Sequence, residues 1–449
     1  MAKQPKRTPQ KTSDSGPFTG NSNLELTFDP VNDGGESLRW PAPHQTELMW
    51  TPDLTSYPPP PQRERKPYAY VLTTPPEIAT AELLLTGEVS MLVEDAARAT
   101  EHLNASVDLK HYEWVASPLL RAEAISSSRI EGLRASHRSI AEARVNPAAA
   151  KSVAREIANS VSAMEEAIRL AAEGPLTVDV IKQIHRTLAR GTDLEEFGGV
   201  FRSKQNWIGF SNHGPFKAAY VPPSPPDIDR LMGDLLKFAS RTNIPAIAQA
   251  AIVHAQFEGI HPFADGNGRV GRTLVHVILL QRGLSRRVVS PISTALAANR
   301  DGYIGALARF QQGGDALHWI SYFARATTQS ARRAEGLSFD LATLVGEWSA
   351  RLGRRRAGSM DERLIDVIVQ RPIISAQTAA RSLNVTEAAA RRVLGRFEEA
   401  RLIRQITLGR RNRVWAADEV FDLLDAFEHG MASDGDGHAK APTRHLRSK

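Results

Sequence analysis

The 449-residue chain contains no cysteine. That excludes a disulfide framework, a thiolate zinc site and a cysteine nucleophile, and it is compatible with a reducing compartment. No stretch approaches the roughly 18 consecutive apolar residues that a spanning helix needs. The most apolar run, Thr273–Gln281, is too short. The first twelve residues are basic, but no apolar run follows them, so they do not read as a signal peptide. Together these absences predict a cytoplasmic protein with no membrane partner.

What is present is a globular composition. Hydrophobic residues make up 42% and charged residues 24%, near the averages for folded domains. At roughly 150 residues per domain the length allows about three. The net charge is +6, and only 12 of the 56 basic residues are Lys. Arginine suits phosphate and carboxylate forks better than lysine does, and a mild positive balance fits polyanion partners such as nucleotides or nucleic acid.

Residues 1–66 are rich in Pro, Ser, Thr, Gln and Asn and include Pro58-Pro59-Pro60-Pro61. This reads as an extended, disordered leader, with Trp40 and Trp50 able to dock it on the body or on a partner. Helical spacing is expected from Glu77, then over Leu119–Ile130, Ser152–Ala172 and Val178–Ala189. Residues 206–210 and 218–221 read as a β-hairpin around the turn Ser211-Asn212-His213-Gly214-Pro215. Helices are expected again from Asp227 to about Gly353. Arg354-Arg355-Arg356 with Gly358-Ser359 reads as a linker. Residues 360–427 follow as three helices and two strands joined by Gly409–Asn412. The tail, 430–449, is polar and reads as disordered.

One stretch carries chemistry: His261-Pro262-Phe263-Ala264-Asp265-Gly266-Asn267-Gly268-Arg269-Val270-Gly271-Arg272, set between two apolar helical patterns. It contains a match to the dinucleotide fingerprint at Gly266, Gly268 and Gly271. That fingerprint must follow a strand, with an acidic residue about twenty positions on, and neither condition holds. No Lys-Ser or Lys-Thr follows the glycines, which excludes a P-loop. A zinc site from His254, His261 and Asp265 lacks the helical i, i+4 histidine pair. The positive reading is a phosphate site. Gly266, Asn267 and Gly268 let backbone N–H groups converge on an anion and lead into a helix N-terminus. Arg269 and Arg272 share a helical face and can clamp phosphates. Asp265 offers a hard oxygen to Mg²⁺, and His261 suits a general base. Base, metal ligand, nest and clamp describe nucleotidyl or phosphoryl transfer.

This stretch fits H-P-F-x-[D/E]-G-N-[G/K]-R-x-x-R at every fixed position and resembles the signature of the Fic family. Ser127, Glu131 and Gly132 resemble the family's inhibitory motif, [S/T]-x-x-x-E-[G/N], N-terminal to the signature as in class II members. Phe201-Arg202 and Gln205–Gly209 resemble the start of the family's flap, and Tyr220–Pro223 its end. Asn299–Tyr303 resembles a helix near the nucleotide base. The resemblance covers roughly residues 75–335.

It implies a mainly α protein, a Fic-type helical domain with a β-hairpin flap, with an N-terminal helical region at 75–175 and a catalytic core at 176–353. It implies transfer of AMP from ATP to a Ser, Thr or Tyr hydroxyl of a target protein, self-modification included. His261 would take the hydroxyl proton and Asp265 would hold Mg²⁺. Gly266, Asn267, Gly268, Arg269 and Arg272 would bind phosphates, and Tyr303 would line the adenine site. Trp207, Ile208, Gly209, Tyr220 and Val221 would align the target by strand addition. Glu131, four residues from Ser127, could fork onto Arg272 and keep the γ-phosphate out. In some members that glutamate serves AMP removal instead. Family members often dimerise, so a homodimer is one expected form. The element order of residues 360–427 fits a winged helix-turn-helix. Arg391, Arg392 and Arg396 on one helix, and Arg404, Arg410, Arg411 and Arg413 near the wing, give the charge footprint of a DNA partner. The alternative function is a DNA-binding regulator whose Fic domain senses nucleotide.

Overall fold

A computed structural model of the chain describes residues 40–106, 112–209, 211–353, 356, 358–408 and 412–433. It opens with strands β1 (His44–Trp50) and β2 (Tyr68–Thr74), paired antiparallel from His44 opposite Thr74 to Trp50 opposite Tyr68. Residues 40–66 are therefore not the extended leader the composition predicts. The prolines at 58–61 lie in the connection between the strands, where a missing N–H costs nothing. Most of β1 is solvent-exposed, which is why no alternating apolar pattern announced it. Trp40 is buried against Phe238 and Phe310, and Trp50 meets Trp207 edge-on at 5.5 Å. Both tryptophans dock this segment on the body. The leader's first 39 residues lie outside the described residues.

Five helices follow: α1 (Gly87–Ser106), α2 (Tyr112–Ile130), α3 (His137–Val145), α4 (Ser152–Glu173) and α5 (Val178–Ala189). The helical onset expected at Glu77 is displaced to Gly87. Residues 77–86 run as a loop because Asp234 accepts from the backbone N–H groups of Ile78 and Ala79, and Arg241 donates to the Ala81 carbonyl at 2.6 Å. The loop still delivers Ile78 to the core.

After a long irregular segment come α6 (Ile228–Ala239), α7 (Ala246–Ile260), α8 (Asn267–Gln281), α9 (Ile292–Ala298), α10 (Arg300–Gly313) and the 36-residue α11 (Ala316–Arg351). Residues 247–260 of α7 are all buried, so this helix is wrapped on every face. Its polar side chains must therefore find partners inside. Gln249 does so by donating to the last carbonyls of α6, at Phe238 and Ala239. Phe257, Leu274, Val277, Trp319 and Phe323 fill the surrounding core.

The expected flap hairpin is two limbs meeting at one bridged pair, Ile208 and Tyr220. Gly214 packs against Trp50 and Tyr68 so closely that a Cβ would sit 2.4 Å from Trp50 Nε1. The N-terminal ribbon thus replaces the flap's own ladder as its support.

The C-terminal unit holds α12 (Met360–Gln370), β3 (Ile373–Ser375), α13 (Ala376–Leu383), α14 (Glu387–Glu399), β4 (Arg404–Leu408), β5 (Asn412–Ala416) and α15 (Asp418–Ser433). Its sheet runs β3-β5-β4. α15 carries on to Ser433, beyond the expected start of the disordered tail at 430. The turn residues Gly409, Arg410 and Arg411 lie outside the described residues, as do Arg354, Arg355 and residues 434–449. The unit packs on α2. Trp114 donates to Asp366, and Arg121 to the Gln370 carbonyl, each at 2.6 Å. No helix among the described residues is long and apolar enough to cross a membrane.

Candidate active site

His261 caps α7 in the left-handed conformation, with φ +50°. The chain then turns through Pro262–Gly266 into α8. Gly266 is the N-cap of α8 at φ +78°, where a Cβ would stand 2.9 Å from Leu188, so glycine is required there. Asn267 locks the turn. Its Oδ1 accepts from the Phe263 N–H at 2.8 Å, and its Nδ2 donates to the Phe263 carbonyl at 2.9 Å. With the amide pinned this way, Nδ2 donates to His261 Nδ1 at 3.1 Å. Asn206 Nδ2 approaches the same nitrogen at 3.1 Å. In this arrangement Nδ1 is an acceptor.

Arg202 fastens the flap to this turn. It donates to the carbonyls of His261 (2.9 Å) and Pro223 (2.5 Å), and its own N–H reaches the Pro262 carbonyl. Burial, with Arg202 close by, pushes the His261 imidazole down to about 4. The ring is therefore neutral at pH 7, the state a base needs.

His185 supports the turn from the opposite side. Its Nδ1 accepts from the Gly199 N–H, its Nε2 donates to the Asp265 carbonyl, and its ring stacks on Phe263 at 3.8 Å. Burial pushes it down to about 4 as well. The Asp265 carboxylate accepts from the Gly266 N–H at 2.6 Å. Nothing local in the sequence singles out His185, which lies 76 positions from His261. Arg202 and Asn206 stand out in the sequence only as flap residues.

Over the first turn of α8 stands the C-terminus of α2. Gly132 ends that helix at φ +83°, the left-handed stop that glycine provides. Arg272 Nε donates to Ser127 Oγ at 2.8 Å, and Nη2 donates to the Ser127 carbonyl at 2.8 Å and to Glu131 Oε1 at 2.7 Å. Burial opposes the charge on Arg272, but Glu131 more than offsets this and holds the guanidinium above its ordinary value. Burial alone would raise the Glu131 carboxyl; Arg272 outweighs it and keeps it below the carboxylate range. The Glu131 side chain keeps 40% of its surface open, so the pair is screened from one side. The carboxylate also covers Gly268, where a Cβ would lie 2.0 Å from Glu131 Oε1. Arg269 is buried, and its Nε has no hydrogen-bond partner.

Tyr303 departs from expectation. It is 1% exposed and meets Arg272 rather than open space for a base, with its hydroxyl 3.4 Å from Nη1 and 3.0 Å from His254 Nε2. The preceding loop and the start of α10 are pulled inward by the Asn299 cap and by Arg300, which donates to the Ile130 carbonyl. Glu258 lies in the same buried pocket, its carboxyl pushed up to about 8 by burial.

Of the flap residues, Tyr220 and Val221 are buried and face inward. The Tyr220 hydroxyl donates to the Gly259 carbonyl, and the Val221 carbonyl accepts from the Thr73 N–H of β2. Trp207 Nε1 donates to the Ser211 carbonyl. Ile208 is 42% exposed, while its own N–H and carbonyl are engaged with Tyr220 and Ala219.

Residues 175–279 match the Fic/DOC family model, and residues 91–169 match the Fic/DOC family N-terminal model. The chain carries a Fic domain. A probable protein adenylyltransferase of Aquifex aeolicus is 36% identical over 99 residues, 22% of this chain and 28% of that protein. Protein adenylyltransferase fic-1 of Caenorhabditis elegans is 29% identical over 161 residues, 36% of this chain and 29% of that protein. The chain spans less than a third of the length of these curated relatives. A Fic family protein from Desulfovibrio desulfuricans aligns with a TM-score of 0.47 at 20% identity, over 75% of this chain and 97% of that one. The matched stretch includes the whole turn from His261 to Arg272, and the N-terminal match includes Ser127, Glu131 and Gly132. The signature of the Fic domain and the end of its N-terminal helix α2 thus meet at one helix terminus, that of α8.

Proposed function

We propose that the chain is an autoinhibited, Mg²⁺-dependent protein adenylyltransferase that moves AMP from ATP to a Ser, Thr or Tyr hydroxyl of a target protein. One observation carries this reading: the Glu131 carboxylate lies over Gly268 and on Arg272, in the place an anionic phosphate would take. A site that holds one carboxylate this way is built for anions. The unpaired Arg269 Nε and the space at Gly268 that a Cβ would fill both suit a triphosphate. Asp265, a hard oxygen donor beside that cradle, is the residue that would hold Mg²⁺. When bound, the ion would neutralise phosphate charge.

In the transfer, the target hydroxyl oxygen bonds to the α-phosphorus, the α–β bridging P–O bond breaks, and pyrophosphate leaves. His261 accepts the hydroxyl proton. For Nε2 to be the accepting atom, the ring must carry its other proton on Nδ1. Asn206 Oδ1, buried without a partner, is the acceptor that would hold it once that amide turns and the ring moves off Asn267 Nδ2. The backbone N–H groups at Asn267 and Gly268, with Arg269, stabilise the charge that develops, while the Gly266 N–H holds the Asp265 carboxylate. Arg272 takes the γ-phosphate only when Glu131 has left it. The limb Trp207–Gly209 is the segment that would align the target by strand addition, on the side away from Tyr220.

The DNA-regulator reading draws less support. Arg396 is paired with Asp361, and Arg404 with Asp418. Arg391 sits 3.4 Å from Glu387.

The test uses ATP labelled at the α-phosphate, Mg²⁺ and the full chain. Label should reach protein with Glu131→Gly and disappear with Glu131→Gly/His261→Ala. Absence of label from every variant, with other nucleoside triphosphates as well, would sink the transferase reading.

A further inference from the structure

Away from the cleft, three side chains of metal-ligating type converge where the C-terminal helix meets the N-terminal region. His137 is the first residue of α3, six positions after Glu131. Asp425 and Glu428 lie three apart on α15 and so share a face. Ligand atoms from all three fall within 4.8 Å of one another. His137 Nε2 stands 3.1 Å from Glu428 Oε1 and 3.9 Å from Asp425 Oδ1. His137 and Glu428 are 4% and 8% exposed. The two atoms contact each other as an ion pair, but without the geometry of a well-directed hydrogen bond. Buried polar atoms are well satisfied in the great majority of cases, and a pair this poorly directed leaves both ligand atoms available to a shared cation.

We propose that His137, Asp425 and Glu428 form a binding site for a zinc-type divalent ion. One imidazole nitrogen and two carboxylate oxygens are donors that zinc accepts, with a fourth position for water. Magnesium and calcium prefer all-oxygen sets. Bonds of about 2.0–2.2 Å place neighbouring donors of a tetrahedral ion roughly 3.3–3.6 Å apart, and the two separations from His137 bracket that range. The outer shell is in place as well. Arg129 Nη2 donates to Glu428 Oε2 at 2.6 Å, which orients the carboxylate and leaves Oε1 for the metal. The Asp425 side chain is 48% exposed, giving the ion a way in. The bound ion would pin α15 to α3.

The competing account is a bare His137–Glu428 ion pair with no metal. The experiment uses the full chain carrying Asp265→Asn, so that the carboxylate proposed to hold Mg²⁺ in the cleft is removed. Chelator-treated protein is titrated with Zn²⁺ by calorimetry and melted with and without Zn²⁺ or Mg²⁺. The site predicts saturable binding of one equivalent of Zn²⁺ and a rise in Tm of about 3 °C or more, with Mg²⁺ giving no rise. Both effects should vanish with His137→Ala and with Asp425→Asn. Asp425→Asn is the half-exposed change, and its metal-free Tm should match that of the parent, which separates lost binding from lost folding. No saturable binding, or binding and stabilisation that survive both substitutions, would overturn the proposal.

Discussion

Glu131 Oε1 lies 2.7 Å from Arg272 Nη2, and the same oxygen occupies the volume that a side chain on Gly268 would need. One carboxylate thus covers both a guanidinium and a glycine of the anion cradle. A hydrogen bond to a charged group contributes roughly 1.5–3 kcal/mol, so removing the carboxylate should tighten ATP binding by about tenfold or more. Calorimetry on wild type, Glu131→Gln and Glu131→Gly should rank them in that order of rising affinity. Equal affinities would contradict competition for Arg272.

Gly268→Ala should separate inhibition from activity. The added Cβ would collide with Glu131 Oε1 at 2.0 Å and with Arg272 Nη1 at 2.9 Å. On the proposed function, it would displace the Glu131 carboxylate and also fill the space meant for phosphate. The double variant Glu131→Gly/Gly268→Ala should therefore transfer at least about a hundredfold less label than Glu131→Gly alone, in the range seen when one anion-stabilising donor is lost.

Gly132→Ala should destabilise the fold by about 1 kcal/mol, the cost of forcing a side chain into the left-handed region. Open space surrounds the position, so the loss is conformational rather than steric. Chemical denaturation would measure it. An unchanged midpoint would mean that α2 ends some other way.

Glu258 should give stability an unusual pH dependence. Its folded carboxyl is raised to about 8, so the folded state holds a proton that the unfolded chain releases near the ordinary value. The contribution is complete at pH below that ordinary value and is lost as pH rises through 8. Glu258→Gln removes it. The stability of wild type relative to the variant should therefore fall by roughly 1.4 kcal/mol for each pH step of one between the ordinary carboxyl value and about 8. A constant difference would refute the buried neutral acid.

His185 and His261 work in the opposite direction. Both are depressed to about 4 by burial, so the unfolded chain takes up protons first. The stability they confer is present above about pH 6.5 and is lost as pH falls toward 4. His185→Phe preserves the stacking on Phe263 but not the bond to Asp265. It should flatten part of this acid limb in thermal melts and lower transfer by the Glu131→Gly variant.

Much of the cleft was legible because its donors are contiguous. His261 to Arg272 places the proposed base, carboxylate, nest and clamp within twelve residues, and α8 fixes the relative directions of Arg269 and Arg272. Ser127 and Glu131 were singled out by their resemblance to the family's inhibitory motif, and their four-residue spacing puts both on the face of α2 that meets Arg272. His185, Arg202 and Asn206 were not, because what marks them is a contact across the fold rather than a local pattern. Tyr303 misled because an aromatic near a nucleotide site suggests stacking, whereas its hydroxyl is drawn inward by Arg272 and His254. The β1–β2 ribbon stayed hidden because β1 is mostly exposed and the connection is proline-rich, the composition of a disordered leader.

α2 is a single helix of 19 residues, a rod of roughly 28 Å. Its far end rests on α12 through Trp114 and Arg121, and its near end lays Glu131 on Arg272. Pro118 interrupts its backbone bonding close to the α12 contact. One helix therefore bears on the C-terminal unit through Trp114 and Arg121 and on Arg272 through Glu131.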